Sequence, residues 1–220
     1  MTACLAVSKS LKRMSIRTGG GSMNTSMDVV EIQNHLKKKQ SERRFIHTIG
    51  VQYTSMCLAM KYSYDLKKAE LAGLLHDCAK YLDADKLLKT CHKNNIEITQ
   101  VEQKSPYLLH GKVGALFAKK KYGIDDEEIL SAIRYHTTGK PDMTMLEKIV
   151  FVADYIEPSR NSAPNLEDLR KLSFENIDEA VYAILKQTLF YLKKKNQNID
   201  QHTVVTCNFY RDLLGRKDDE

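Results

Sequence analysis

The sequence predicts an all-α fold, a single helical bundle, and three observations carry that expectation. All four prolines lie beyond residue 105, no stretch alternates apolar and polar residues long enough to make a half-buried strand, and apolar residues recur at steps of three and four. At 220 residues, 42% hydrophobic and 28% charged, the chain can bury a core without metal or disulfide staples, and its composition excludes disordered and collagenous classes. No apolar run approaches the roughly 18 residues that a membrane span needs.

Residues 1–26 are expected to be a flexible basic leader and residues 27–216 the folded domain. Lys9, Lys12, Arg13 and Arg17 face no acid in the first 22 residues, and Gly19-Gly20-Gly21-Ser22 leads to Met23. The segment lacks the long apolar centre of a signal peptide. It reads as an upstream start or an appended leader, with Met23 and Met27 as later starts; a mitochondrial-type presequence is the second reading.

From Phe45, the apolar residues Phe45, Ile49, Tyr53, Met56 and Met60 recur at helical steps and predict one amphipathic helix of about four turns. Asp65 can cap the next, with Leu71, Leu74, Leu75 and Cys78 on one face. A shorter helix is expected over 83–94, and Pro106 opens a stretch through Val113, Leu116 and Phe117 that stops near Gly123. Asp125 with Glu128, and Thr144 with Glu147, have capping-box spacing, in which a side-chain oxygen takes the N–H three residues on and the acid returns the bond. The helices they start should reach about Tyr135 and Glu157, the latter just before Pro158. A Pro-, Asn- and Ser-rich loop over 158–165 precedes a short helix, a long one over about 176–194 and a last one over about 204–214.

Charge and cysteine content narrow the function classes. The net charge is +6, but four of those charges sit in the leader, so the body is nearly balanced. The runs Lys37-Lys38-Lys39, Lys119-Lys120-Lys121 and Lys193-Lys194-Lys195 read as solvated helix ends, where positive charge suits the helix dipole, and none points to nucleic acid. The five cysteines, Cys4, Cys57, Cys78, Cys91 and Cys207, are scattered, with no C-x-x-C spacing. Neither a disulfide framework nor a zinc finger is implied, and a reducing cytoplasm fits best.

Histidine and aspartate carry the chemistry. His76-Asp77 lies in the apolar run Leu74-Leu75-His76-Asp77-Cys78-Ala79-Lys80, where an unpaired carboxylate is costly to bury, so a compensating charge is expected. Lys80 stands three residues from Asp77 and four from His76, which admits a simple ion pair as well as a metal-plus-phosphate site. His47 lies in the preceding helix beside Gly50 and Thr54, small residues that permit close approach of another element. Asp154 is embedded in Ile149-Val150-Phe151-Val152-Ala153-Asp154-Tyr155-Ile156. Two histidines and two acids on separate helices can converge in a bundle core as an N2O2 set, suited to iron, manganese or zinc rather than to a thiolate-loving ion. His35, His92 and His202 fall in polar surroundings and are expected at the surface, and Tyr135 and Tyr155 in the core.

The order His47, His76-Asp77, Asp154 resembles the HD-domain phosphohydrolases, an all-helical superfamily. His110 in Leu108-Leu109-His110-Gly111, His136 in Tyr135-His136-Thr137-Thr138-Gly139, and Asp154-Tyr155-Ile156-Glu157-Pro158-Ser159-Arg160 look like the motifs of its YqeK branch. That branch comprises bacterial symmetrical bis(5'-nucleosyl)-tetraphosphatases, which cut diadenosine tetraphosphate into two ADP and are associated with iron. The resemblance covers about residues 28–212, with no departure at the four ligand positions. It implies that His47, His76, Asp77 and Asp154 hold a divalent transition metal, most readily iron. It also implies that His110 and His136 face substrate or a second ion, and that Lys80, Thr137, Gly139 and Arg160 lie near phosphates. Asp77, Lys80, His110 and His136 are the expected catalytic groups, with Asp77 accepting a water proton and His110 or His136 protonating the leaving ADP.

Within the same superfamily, deoxynucleotide or cyclic-nucleotide hydrolysis is the rival, although the Gly-Tyr-Pro signature of one cyclic-dinucleotide branch is missing. A metal-binding module without turnover is the rival from another class, and the intact ligand set argues against it. The expected partners are a dinucleoside polyphosphate and ADP, with no nucleic acid and no membrane. A homodimer is compatible with the sequence without being specified by it.

Overall fold

The protein is described here by a computed structural model covering residues 27–217, so the expected leader lies outside the described residues. These residues form eleven α-helices and no strand: α1 (Val29–Lys39), α2 (Glu42–Lys61), α3 (Leu66–Leu75), α4 (Ala84–Lys93), α5 (Gln100–Lys104), α6 (His110–Tyr122), α7 (Glu127–Tyr135), α8 (Met145–Ile156), α9 (Leu166–Glu175), α10 (Ile177–Lys194) and α11 (Gln201–Leu213). A 3-10 turn, Pro106–Leu109, leads into α6. None of the helices is long and apolar enough to cross a membrane.

Local chemistry starts and stops these helices much as expected. Asp65 takes the Lys68 N–H at the start of α3, Thr144 and Glu147 exchange both bonds of a capping box before α8, and Gly123 ends α6 in a left-handed turn. Four expectations are corrected. Helix α7 is capped by Asp126 rather than Asp125: its carboxylate takes the N–H of both Glu128 and Ile129 while pairing with Lys68 at 2.9 Å. The apolar row that periodicity picks out on α2 is not the core face. Phe45, Ile49 and Met56 are only half-buried and Tyr53 and Met60 are exposed, whereas His47, Thr48, Val51, Gln52, Ser55, Leu58 and Ala59 point inward. Tyr135 and Tyr155 are half-buried rather than core. Of the three surface histidines, His92 and His202 are exposed, while His35 is half-buried with its ring 5.6 Å from that of Tyr122. The three lysine runs do occupy exposed last turns of helices.

Helix α8 occupies the middle of the bundle, packed against α2, α3, α7 and α10, with Leu146, Ile149, Val150, Val152 and Ala153 fully buried. Each leucine, isoleucine or valine side chain among them contributes about 1.5–3 kcal/mol by leaving water. A smaller cluster of Ala79, Leu87, Cys91, Leu109 and Val113 seats α4 and the 3-10 turn on α6. Helices α6 and α7 cross closely because Gly111 has no side chain: a Cβ there would stand 2.6 Å from the Arg134 carbonyl oxygen. That crossing brings His110 at the start of α6 to His136 at the end of α7.

Candidate metal centre

The helix containing the His-Asp pair ends sooner than the apolar run suggests. Helix α3 stops at Leu75, and the chain continues through three-residue turns, Cys78 N–H to Leu75 oxygen at 3.0 Å and Lys80 N–H to Asp77 oxygen at 3.0 Å. A helix end leaves its last carbonyls without partners. His76 supplies one, its Nδ1–H donating to the Gly73 carbonyl at 2.7 Å. The same device recurs twice: His136, just past α7, donates Nδ1–H to Ile133 oxygen at 2.7 Å, and His110, just past the 3-10 turn, donates to Tyr107 oxygen at 2.5 Å. A carbonyl only accepts, so each bond places that ring's proton on Nδ1 and leaves the Nε2 lone pair free to point inward.

His47 cannot use this device, because it sits in the interior of α2, where the carbonyls behind it are already bonded. Its Nδ1–H donates instead to Glu157 Oε1 at 3.0 Å. Glu157, just past α8, is buried and is itself fixed by the Ser159 N–H at 2.6 Å and hydroxyl at 2.7 Å. Gly50 makes the contact possible, since a Cβ at that position would overlap Glu157 Oε2. Thus the small residue beside His47 does admit another element, and that element is a carboxylate.

The four Nε2 atoms surround the buried Asp77 carboxylate. Toward Oδ2 stand His76 at 3.5 Å and His47 at 3.8 Å, with Asp154 Oδ1 3.1 Å from His47 and 3.8 Å from His76, and the two Nε2 atoms 3.3 Å apart. Toward Oδ1 stand His110 at 3.3 Å and His136 at 3.5 Å, their Nε2 atoms 3.0 Å apart, with the Thr137 hydroxyl 3.2 and 3.1 Å from them. Donor atoms of this kind around a divalent ion with bonds of about 2.1 Å lie roughly 3–3.5 Å apart, so the residues fit an ion. Asp77 Oδ1 supports the same conclusion: it is buried and receives no hydrogen bond, because its imidazole neighbours carry their protons on the far nitrogen.

Electrostatics run the same way. Burial alone would raise both acids, but His76 and its fellow imidazoles hold Asp77 well below the carboxylate range, and His47, His76 and Arg160 hold Asp154 far below it. Burial alone would lower His47, yet Asp154 and Glu157 outweigh it and raise the imidazole above 6.5. The pocket therefore demands positive charge. On the other side, burial and the neighbouring Lys80 push His110 down to about 4. Lys80 does not make the simple ion pair with Asp77 that its spacing admits; its ammonium lies 3.0 Å from His110 Nε2, and burial lowers it.

Two residues given no role by the sequence reading belong here. Arg44, one turn before His47, donates to Asp77 Oδ2 at 2.7 Å, and Glu157 orients His47. Arg160, expected near phosphates, forks onto the Asp154 backbone oxygen at 3.0 Å and Oδ1 at 3.1 Å. Gly139 is not brought to the cluster; its N–H bonds the Tyr135 carbonyl and a Cβ there would face Thr206 and Met143. A cleft of about 660 Å³, lined by Arg43, Arg44, His47, Glu157 and Arg160, opens onto one side, and one of about 580 Å³, lined by Lys112, Arg134, Tyr135 and Thr137, reaches the other.

Comparison with known proteins agrees with this geometry. The HD domain family model matches residues 44–159. The chain is 39% identical over 174 residues to the symmetrical bis(5'-nucleosyl)-tetraphosphatase of Bacillus subtilis, covering 79% of this chain and 92% of that one. It is 37% identical to the enzyme of the same name from Staphylococcus aureus, covering 84% and 95%. A crystal structure of a predicted HD superfamily hydrolase involved in NAD metabolism from Clostridium acetobutylicum superimposes with a TM-score of 0.82 at 37% identity, covering 85% of this chain and 98% of that one. With the matched segment running from Arg44 through the His76-Asp77 pair to Ser159, and so enclosing every imidazole and carboxylate of the cluster, the chain belongs to the HD domain family.

Proposed function

We propose that this protein is a metal-dependent hydrolase that cuts diadenosine tetraphosphate symmetrically into two ADP in a reducing cytoplasm, with iron held by His47, His76, Asp77 and Asp154. The observation that carries the reading is the convergence of four imidazole Nε2 atoms on the two oxygens of one buried carboxylate, in a chain 37–39% identical to symmetrical tetraphosphatases over most of its length. Mixed nitrogen and oxygen donors suit iron, and the nearby Cys78 thiol is engaged with the Gly114 carbonyl at 3.4 Å. Asp77 Oδ1, His110 and His136 are donors for a second divalent ion. Such ions, when bound, polarise phosphoryl oxygens and acidify water.

The chain's own groups do the rest. Arg44 and Arg160 present guanidinium forks at the mouth of the larger cleft, where phosphate oxygens compete with Asp77 and Asp154 for the same donors. Lys80 offsets charge on the transferred phosphorus from its buried place beside His110, Asp77 passes the proton of the attacking water on to solvent, and Lys80, lowered by burial, protonates the leaving ADP oxygen in place of His110 or His136, whose Nε2 atoms carry no proton. The two clefts meet the cluster at His47 and at Thr137, which gives each nucleoside half of the substrate its own space. The test is product analysis with iron-loaded protein and diadenosine tetraphosphate in isotopically heavy water. ADP alone, labelled in one of each pair, is expected; ATP plus AMP, or no cleavage with metal bound, removes the reading.

A further inference from the structure

The turn that follows α8 carries two groups of the metal centre, Glu157 behind His47 and Arg160 on Asp154. Its backbone leaves the helical ladder at once. Pro158 has no N–H to give the Asp154 carbonyl, and Arg160 Nε takes that acceptor at 3.0 Å. The Ser159 N–H turns to Glu157 Oε2, and the Arg160 N–H, which a continuing helix would give to Ile156, bonds the Glu157 carbonyl at 3.1 Å. Arg170, half-buried in the second turn of α9, closes this turn from across the loop 161–165. Its Nε–H donates to the Ile156 oxygen at 2.9 Å, and its Nη2 donates to the Glu157 and Arg160 oxygens at 3.1 and 2.9 Å.

We propose that Arg170 is a positioning residue of the metal centre, acting through this one turn on both Glu157 and Arg160. All three of its acceptors are backbone carbonyls, so its bonds fix where those two side chains start, without touching His47 or Asp154. A shift of the turn would move the carboxylate that orients His47 and the fork that orients Asp154 together. The planar guanidinium, with donors on two edges, meets the three carbonyls at once; a lysine ammonium keeps the charge but is a single point on a flexible stem. The inference rests on the reading of His47 and Asp154 as metal ligands. If Arg170 merely capped the C-terminal end of α8, its loss would lower the melting temperature and leave ion affinity alone.

Manganese(II) affinity of the full chain, measured by competition with a chelator, tests this. Arg170→Ala and Arg170→Lys should each lower it about tenfold with the circular dichroism spectrum unchanged, and the lysine variant, which keeps stem and charge, serves if the alanine variant does not fold. Combined with Glu157→Gln, either should cost less than the product of the two separate losses, since part of each passes through the same carboxylate. In the ion-free protein the His47 Nδ1–H, bonded to a buried carboxylate, should give a slowly exchanging proton resonance that either Arg170 variant broadens or removes. The proposal is overturned by unchanged affinity in both variants, by full recovery in Arg170→Lys, by losses that multiply, or by an unaltered His47 resonance. A wild type that binds no ion would remove the metal reading itself, and the His47 resonance, recorded without ion, then decides whether Arg170 holds Glu157 to His47.

Discussion

The two sides of the Asp77 carboxylate use the same ligand types and differ in charge. At Oδ2, His47 and His76 share their space with Asp154, and Glu157 stands behind His47. At Oδ1, His110 and His136 have no second acid; their companions are the Thr137 hydroxyl and the Lys80 ammonium. The first side raises the affinity of an imidazole for positive charge, and the second lowers it, as His47 and His110 record in opposite directions. Two sites of similar shape are therefore unequal: the acids of the first favour a cation, while at the second the Lys80 ammonium already supplies the positive charge.

The largest expected effect is from Asp77→Ala, which removes the carboxylate common to both sides. Metal content and turnover should fall together to background, and elemental analysis finding full occupancy in that variant would contradict the assignment. The inequality is tested by comparing His47→Ala with His136→Ala. The first should lose the tightly held ion, whereas the second should retain it and lose turnover by about 10²–10⁴-fold; equal metal loss in both would erase the distinction. A smaller effect follows from Glu157→Gln, which keeps an acceptor for the His47 N–H but withdraws the charge behind it. Metal affinity, measured by competition with a chelator, should fall about 10–100-fold with the fold intact, and an unchanged affinity would leave Glu157 a merely structural role.

How much of this was legible in the chain depends on the range of the interaction. The Thr144–Glu147 box is written within four residues, and the structure reproduces it. A similar box, Thr99–Glu102, starts α5 but goes unread because only five helical residues follow it. Helix α1 escapes notice because only Ile32 and Leu36 are buried among its polar residues. The order of the clustered histidines and aspartates can be read from motif resemblance. The partner of His47 cannot be, since Glu157 lies 110 residues away and Gly50 signals only that something approaches. The apolar row on α2 misleads for an instructive reason: its inward face is given over to polar groups of the site, so periodicity finds the outward one.

The donors lie between positions 47 and 154 on five separate elements: α2, the end of α3, the start of α6, the end of α7 and α8. A partly folded chain cannot assemble the full set, so an ion held there favours the native state and its binding energy adds to folding. At a free concentration of about 100 times its dissociation constant, an ion adds about 2.7 kcal/mol, a sizeable share of the roughly 5–15 kcal/mol that holds a typical domain folded. Metal supply should thus govern how much of the protein survives cellular quality control as well as how fast each copy works, and a cell short of the ion would lose the enzyme itself.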